Sequence, residues 1–250
     1  MATSFDIRNA VLGEPVVKTV LTRLLAFCAL AVLVAGCSSG GSGAGSGASS
    51  GADNNAEKVK AFWQWFEKNE QQLFASKDDS DDATLADLDK QLESINPDLT
   101  FEFGPESSGK RDFVIGANGL EEVIPVVMST VASAPKLPRW RVIAFRQKQR
   151  APKPVKQGKV MVSPEKVTFL LKPDGDRASI TLYVKGYDNS DDYEEATLIL
   201  LDETLGEYDS ITRLNDIDIK PRTEDRRRAA KPLPQLCAEL DKIVAPSKAP

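Results

Sequence analysis

Hydrophobic positions follow several different periods along this chain, and each change of period marks an element. Leu24-Leu25-Ala26-Phe27-Cys28-Ala29-Leu30-Ala31-Val32-Leu33-Val34 is a continuous apolar run, and residues 38–52 are only Gly, Ser and Ala. From Asp53 to about Leu73, apolar residues Val59, Phe62, Trp63, Phe66 and Leu73 fall on one helical face. Ser80, Asp81 and Asp82 are capping residues for a second helix with the stripe Leu85, Leu88, Leu92 and Ile95, ended by Asn96-Pro97. Alternation then takes over. Leu99–Phe103 reads as a strand, Gly104–Gly109 as a turn and Arg111–Ile115 as the return strand. A helix follows through Val123, Ile124, Val127 and Val131. Pro125 must sit in its first turn, so it starts near Glu121 or Glu122. Pro135 and Pro138 end it before a strand at Trp140–Phe145.

The second half repeats this order. Lys166–Leu171 and Ala178–Val184 form a hairpin around the turn Pro173–Asp176. Ser190-Asp191-Asp192 opens a helix that runs to about Leu205 and stops at Gly206. Ile211–Ile219 reads as the last strand and Leu233–Val244 as a closing amphipathic helix. The expected fold is therefore α+β: two β-β-α-β units, about 99–146 and 166–220, sharing one mostly antiparallel sheet. Two N-terminal helices and a C-terminal helix cover it. The folded body is expected to be one domain over 53–250.

Lys18 and Arg23 precede the apolar run, which is too short to span about 30 Å of hydrocarbon and has the form of a signal-peptide core. Asp6 and Glu14 make the stretch before Lys18 long for a leader, pointing to a downstream start. Val34-Ala35-Gly36-Cys37 resembles the lipobox of bacterial lipoproteins. That resemblance implies a signal peptide over 1–36, cleavage before Cys37 and acylation of its thiol. Ser38, where an aspartate would favour inner-membrane retention, implies the periplasmic face of the outer membrane. Residues 37–52 then form a lipidated cysteine and tether. A chain of this composition spans roughly 20–23 Å on average.

Composition narrows the chemistry. The 250 residues are 41% apolar and 28% charged, with net charge −5, three cysteines and no histidine. The absent imidazole excludes Ser-His-Asp and Cys-His nucleophile systems and His-ligated metals. No cofactor or metal site is expected. Cys237 is left as a lone thiol, since Cys28 leaves with the leader and Cys37 carries lipid. The acidic runs Asp78–Asp82 and Asp188–Asp192 lack the glycine and distant glutamate of an EF-hand and read as helix caps.

Three features remain for function. Trp65 lies off the buried helical stripe and is a candidate partner contact. From Lys136 to Lys159 there are nine Lys/Arg and no acid, with Arg226-Arg227-Arg228 as a second basic point. Arg139, Arg141, Arg146, Lys148 and Arg150 are the candidates there for a protein partner or an anionic envelope component. An envelope address argues against nucleic acid. The bland reading is an edge strand guarded by charge. Finally, Asp202, Glu203, Glu207 and Asp209 cluster around a helix end. Paired carboxylates do acid-base work when their environments split their pKa values. Negative charge at a helix C-terminus is unfavourable and hints at an arginine partner.

Four strings, Phe62–Glu70, Leu99–Gly104, Leu137–Arg146 and Leu200–Asp209, resemble a bacterial protein family of unassigned activity over about residues 57–220. The resemblance supplies no catalytic residues, and similar proteins occur without a lipoprotein leader. The expectation is a lipid-anchored envelope protein acting as a non-catalytic binding module. The alternatives are an envelope hydrolase using Asp/Glu chemistry, or a purely structural tethered module.

Overall fold

The computed structural model describes residues 16–18, 49–76, 83–223 and 229–246. Cys37, the run Asp78–Asp82 and Arg226–Arg228 lie outside them. Val16–Lys18 (β1) pairs antiparallel with the strand at Thr100–Phe103.

Aromatic residues at helical spacing build the first core. In α1 (Ser49–Ala75), Val59, Phe62, Trp63, Phe66 and Leu73 are all buried, as the periodicity predicts. The helix starts four residues before Asp53, inside the Gly/Ser/Ala stretch. Its C-terminal carbonyls have no basic residue in the last turn to meet them. Arg111, buried and far along the chain, donates instead to the carbonyls of Phe74 (3.0 Å) and Ser76 (2.9 Å). In α2 (Ala83–Ile95) the stripe Leu85, Leu88, Leu92, Ile95 is buried against α1.

The first unit is a hairpin of β2 (Thr100–Phe103) and β3 (Arg111–Gly116), then α3 (Ile124–Ala132), then β4 (Trp140–Ala144) parallel to β3. Pro125 falls in the first turn of α3, where its missing N–H costs nothing. A small hairpin of β5 (Val155–Gln157) and β6 (Val160–Val162) follows. The second unit repeats the order. β7 (Val167–Asp174) and β8 (Arg177–Val184) form a hairpin, α4 (Asp191–Leu205) and α5 (Glu207–Arg213) cross over, and β9 (Leu214–Pro221) returns parallel to β8. β10 (Lys231–Pro232) edges β7, and α6 (Leu236–Leu240) closes the described chain.

Three expectations are corrected. The units do not share one continuous sheet: the strand orders are β1-β2-β3-β4 and β10-β7-β8-β9, and each sheet has its own apolar core. After β4 the chain cannot extend the first sheet, because Phe145 adopts a left-handed backbone (φ 62°) and turns it away. Pro152 and Pro154 then keep the link out of a ladder. Secondly, Ile211 lies in α5, not in the last strand. Tyr208 and Ile211, three apart on that helix, pack into the core of the first unit. The closing helix is also shorter than Leu233–Val244, with a 3-10 turn at Leu233–Gln235 ahead of α6.

Candidate functional site

Parallel pairing places the C-terminal ends of β3 and β4 side by side, and α5 enters this edge from the other unit. Its first residue, Glu207, is only 4% exposed. Glu207 Oε1 accepts the Ala117 N–H (2.7 Å) and Oε2 the Arg146 N–H (2.9 Å), while the Glu207 N–H donates to the Arg146 carbonyl (2.9 Å). The left-handed Phe145, its ring 5.3 Å from that of Tyr208, aims the Arg146 amide at this carboxylate. Gly206 (φ 88°) gives α4 and α5 their separate directions.

The Arg146 side chain runs back across the junction. It pairs with Glu102 of β2 (2.9 Å) and with Asp202 of α4 (3.2 Å), and is 15% exposed. Three carboxylates thus surround one guanidinium. Burial works against the Arg146 charge, but Glu102, Asp202 and Glu207 more than offset it and hold its pKa above the ordinary arginine range. Burial pushes Asp202 up to about 7; Arg146 opposes this, while Glu207 and Glu102 add to it. Burial also raises Glu207, against the pull of its backbone donors and Arg146, and raises Glu203.

Beside this cluster is a cleft of about 120 Å³ between the units. Asp202, Glu207, Arg146 and Ser210 form its polar side. Leu198 and Ile199 of α4, with Ile211, form an apolar side, and Thr100 and Asn118 close it from the first unit. It can hold a small group between apolar walls and a carboxylate pair whose proton affinities burial raises.

Of the four carboxylates singled out in the sequence, the cleft brings together Asp202 and Glu207. Glu203 faces away, accepting the Lys153 backbone N–H, and Asp209 pairs with the buried Arg213 (2.9 Å). Three cations of the basic edge are matched internally. Arg139 grips Glu70 and lies 4.4 Å over the Phe74 ring, Arg141 pairs with Asp112, and Arg146 belongs to the cleft. Lys148 and Arg150 are exposed, and the β5–β6 hairpin with its lysines lies along α4, which carries six acidic residues. Trp65 is half-buried, packed against the first core.

Glu102 was missed: a charged residue alternating on a strand looks like any solvated position. Glu70 was missed too, yet its Oε1 also accepts the buried Trp140 indole N–H (2.9 Å). Asp188 takes the Ser190 N–H, and Asp191 and Asp192 lie in the first turn of α4, where the dipole favours them, but the N-cap Ser190 makes no side-chain cap hydrogen bond. Cys237 is a free thiol donating to the Thr204 carbonyl (3.1 Å). Among the described residues no group of His, Cys, Asp and Glu can hold a metal ion, and no helix is long and apolar enough to cross a membrane.

No family model, curated protein or solved structure matches this chain. The stretches Phe62–Glu70, Leu99–Gly104, Leu137–Arg146 and Leu200–Asp209 supply Glu70, Glu102, Arg139, Trp140, Arg146, Asp202 and Glu207, the members of the two polar clusters.

Proposed function

We propose that this is an envelope protein, anchored by lipid at Cys37 on the periplasmic face of the outer membrane, whose folded body is a non-catalytic binding module. The cleft between the two units is its ligand site. The observation that carries this reading is the joint lining of the cleft by both units, with apolar walls beside a few fixed polar groups, the usual character of a small-ligand site. Glu207 speaks for binding over catalysis, since backbone donors already occupy both its oxygens. Lys148 and Arg150 are left as the points where an acidic partner or anionic envelope component meets the surface.

Two experiments test this. Cys37→Ser should leave the protein unlipidated and free of membranes; unchanged mass and partitioning would refute the anchor. For the cleft, the full chain in detergent is screened by thermal shift against cationic, anionic and neutral small molecules, beside Leu198→Trp, which fills the apolar side. Compounds should stabilise the parent and not the filled variant. Equal stabilisation of both, or of neither, would remove the cleft from the proposal. A hydrolase using Asp/Glu chemistry is the second reading, favoured by the high proton affinity of Asp202 inside a cleft. It predicts breakdown of a bound compound, abolished in Asp202→Asn.

A further inference from the structure

We infer that the cleft takes an aliphatic ammonium compound, one cationic end lying at Asp202 and Glu207 and, in a diamine, the other at Glu93 and Asp98. This rests on the binding-module reading above. A second, smaller hollow of about 10 Å³ shares Thr100 and Asn118 with the cleft, so the two lie side by side. Glu93 and Asp98 line the smaller hollow, and Asp202 and Glu207 line the cleft. The single cation inside, Arg146, already faces Glu102, Asp202 and Glu207. The cleft therefore holds an excess of carboxylate that an entering anion would meet as repulsion and an ammonium as attraction.

Size and apolarity point the same way. A cavity of about 150 Å³ holds a benzene molecule, so 120 Å³ suits a chain of about five or six heavy atoms. Leu198, Ile199 and Ile211 offer methylenes an apolar wall. The charged groups lining the cleft are Arg146 after β4, Glu195 and Asp202 of α4, and Glu207 of α5, with Glu102 of β2 behind them on Arg146. A cation competes with the proton these carboxylates share, so amine affinity rises from about pH 6 to about pH 8.

The test is isothermal titration calorimetry of the full chain in detergent with putrescine, cadaverine and n-butylamine, and with butyrate and butanol as anionic and neutral controls. The three amines should bind and the controls should not. Asp202→Asn should weaken every amine by about tenfold or more, and Glu93→Gln should weaken the diamines alone. Leu198→Lys, which brings an ammonium to the cleft from α4, should abolish binding. Controls that bind as well as the amines, or amine affinity untouched by Asp202→Asn, would overturn the ligand class. If the amines fail while other compounds still distinguish the parent from Leu198→Trp, the ammonium proposal falls and the binding cleft stands. If no compound distinguishes them, both fall.

Discussion

Gly116 should not tolerate even one added methyl group, although its backbone is not in the left-handed region. A Cβ there lies 2.5 Å from Thr100 Oγ1 and 2.9 Å from each carboxylate oxygen of Glu207. Thr100 is half-buried and can turn its side chain. Glu207 cannot retreat without lengthening its bonds to the Ala117 and Arg146 amides. A hydrogen bond to a charged group contributes about 1.5–3 kcal/mol, and a buried donor left unmet costs about 1–3 kcal/mol. Weakening both bonds, less the relief of taking a carboxylate away from Asp202, comes to about 3 kcal/mol for Gly116→Ala. For a body of this size that lowers Tm by about 6–12 °C.

The decisive form is a double-mutant cycle. Glu207→Ala alone also costs about 3 kcal/mol, because both amides lose their acceptor. In that background the methyl at position 116 has room, so the double variant should lose about 3–4 kcal/mol rather than about 6, a coupling of roughly 2 kcal/mol or more. Urea titration followed by tryptophan fluorescence measures this, with the slope m checked for constancy. Additive costs, or a Gly116→Ala variant within about 0.5 kcal/mol of the parent, would refute the reading of Glu207 as a clasp seated on Gly116.

Asp202, held up to about 7 in the folded state, takes up its proton there before it does in the unfolded chain. Stability should therefore rise as pH falls from about 7 towards about 4, and urea midpoints at pH 5 and pH 8 should differ less in Asp202→Asn than in the parent. Arg146→Met leaves Glu102 and Asp202 facing each other without a cation and should cost about 3–5 kcal/mol; replacing all three by Met, Leu and Leu should recover most of that, as denaturant midpoints would show. Glu70→Ala orphans the Trp140 indole N–H, at a cost of about 1–3 kcal/mol, and should change the emission of that buried tryptophan. Lys148→Glu with Arg150→Glu should leave Tm unchanged while reducing capture on anionic vesicles; a destabilised variant would mean these two cations hold the fold.

The elements most legible in the sequence are those whose periodicity answers to a single buried face. Phe62, Trp63 and Phe66 read as one stripe because one side of α1 meets one core, and Leu99–Phe103 alternates because one face of β2 is covered. The β-β-α-β order of both units was legible for the same reason. The number of sheets was not, since alternation records which way a side chain points and nothing about which strand lies alongside. α5 was hidden because Ile211, Ile217 and Ile219 also fit a period of two. Tyr208 and Ile211 become helical neighbours only when the other unit offers them a core.

The site shows the same division between kind and identity. Asp202 in the last turn of α4 sits against the helix dipole, so a cationic partner could be anticipated from the sequence. Its identity lay 56 residues away, in a run of cations that looked like one basic surface. Contact separates that run into unlike roles: Arg139 and Arg141 meet their own unit's carboxylates, while Arg146 crosses to Asp202. Two bodies with separate apolar cores gain little orientation from apolar contact alone, because such contact is non-directional. The Glu102–Arg146–Asp202 cluster and the Glu207 clasp have fixed hydrogen-bond geometry, and they lie where the two units meet. The residues that set how the units face one another are thus the residues that line the cleft between them, so a ligand binding there acts on the junction itself.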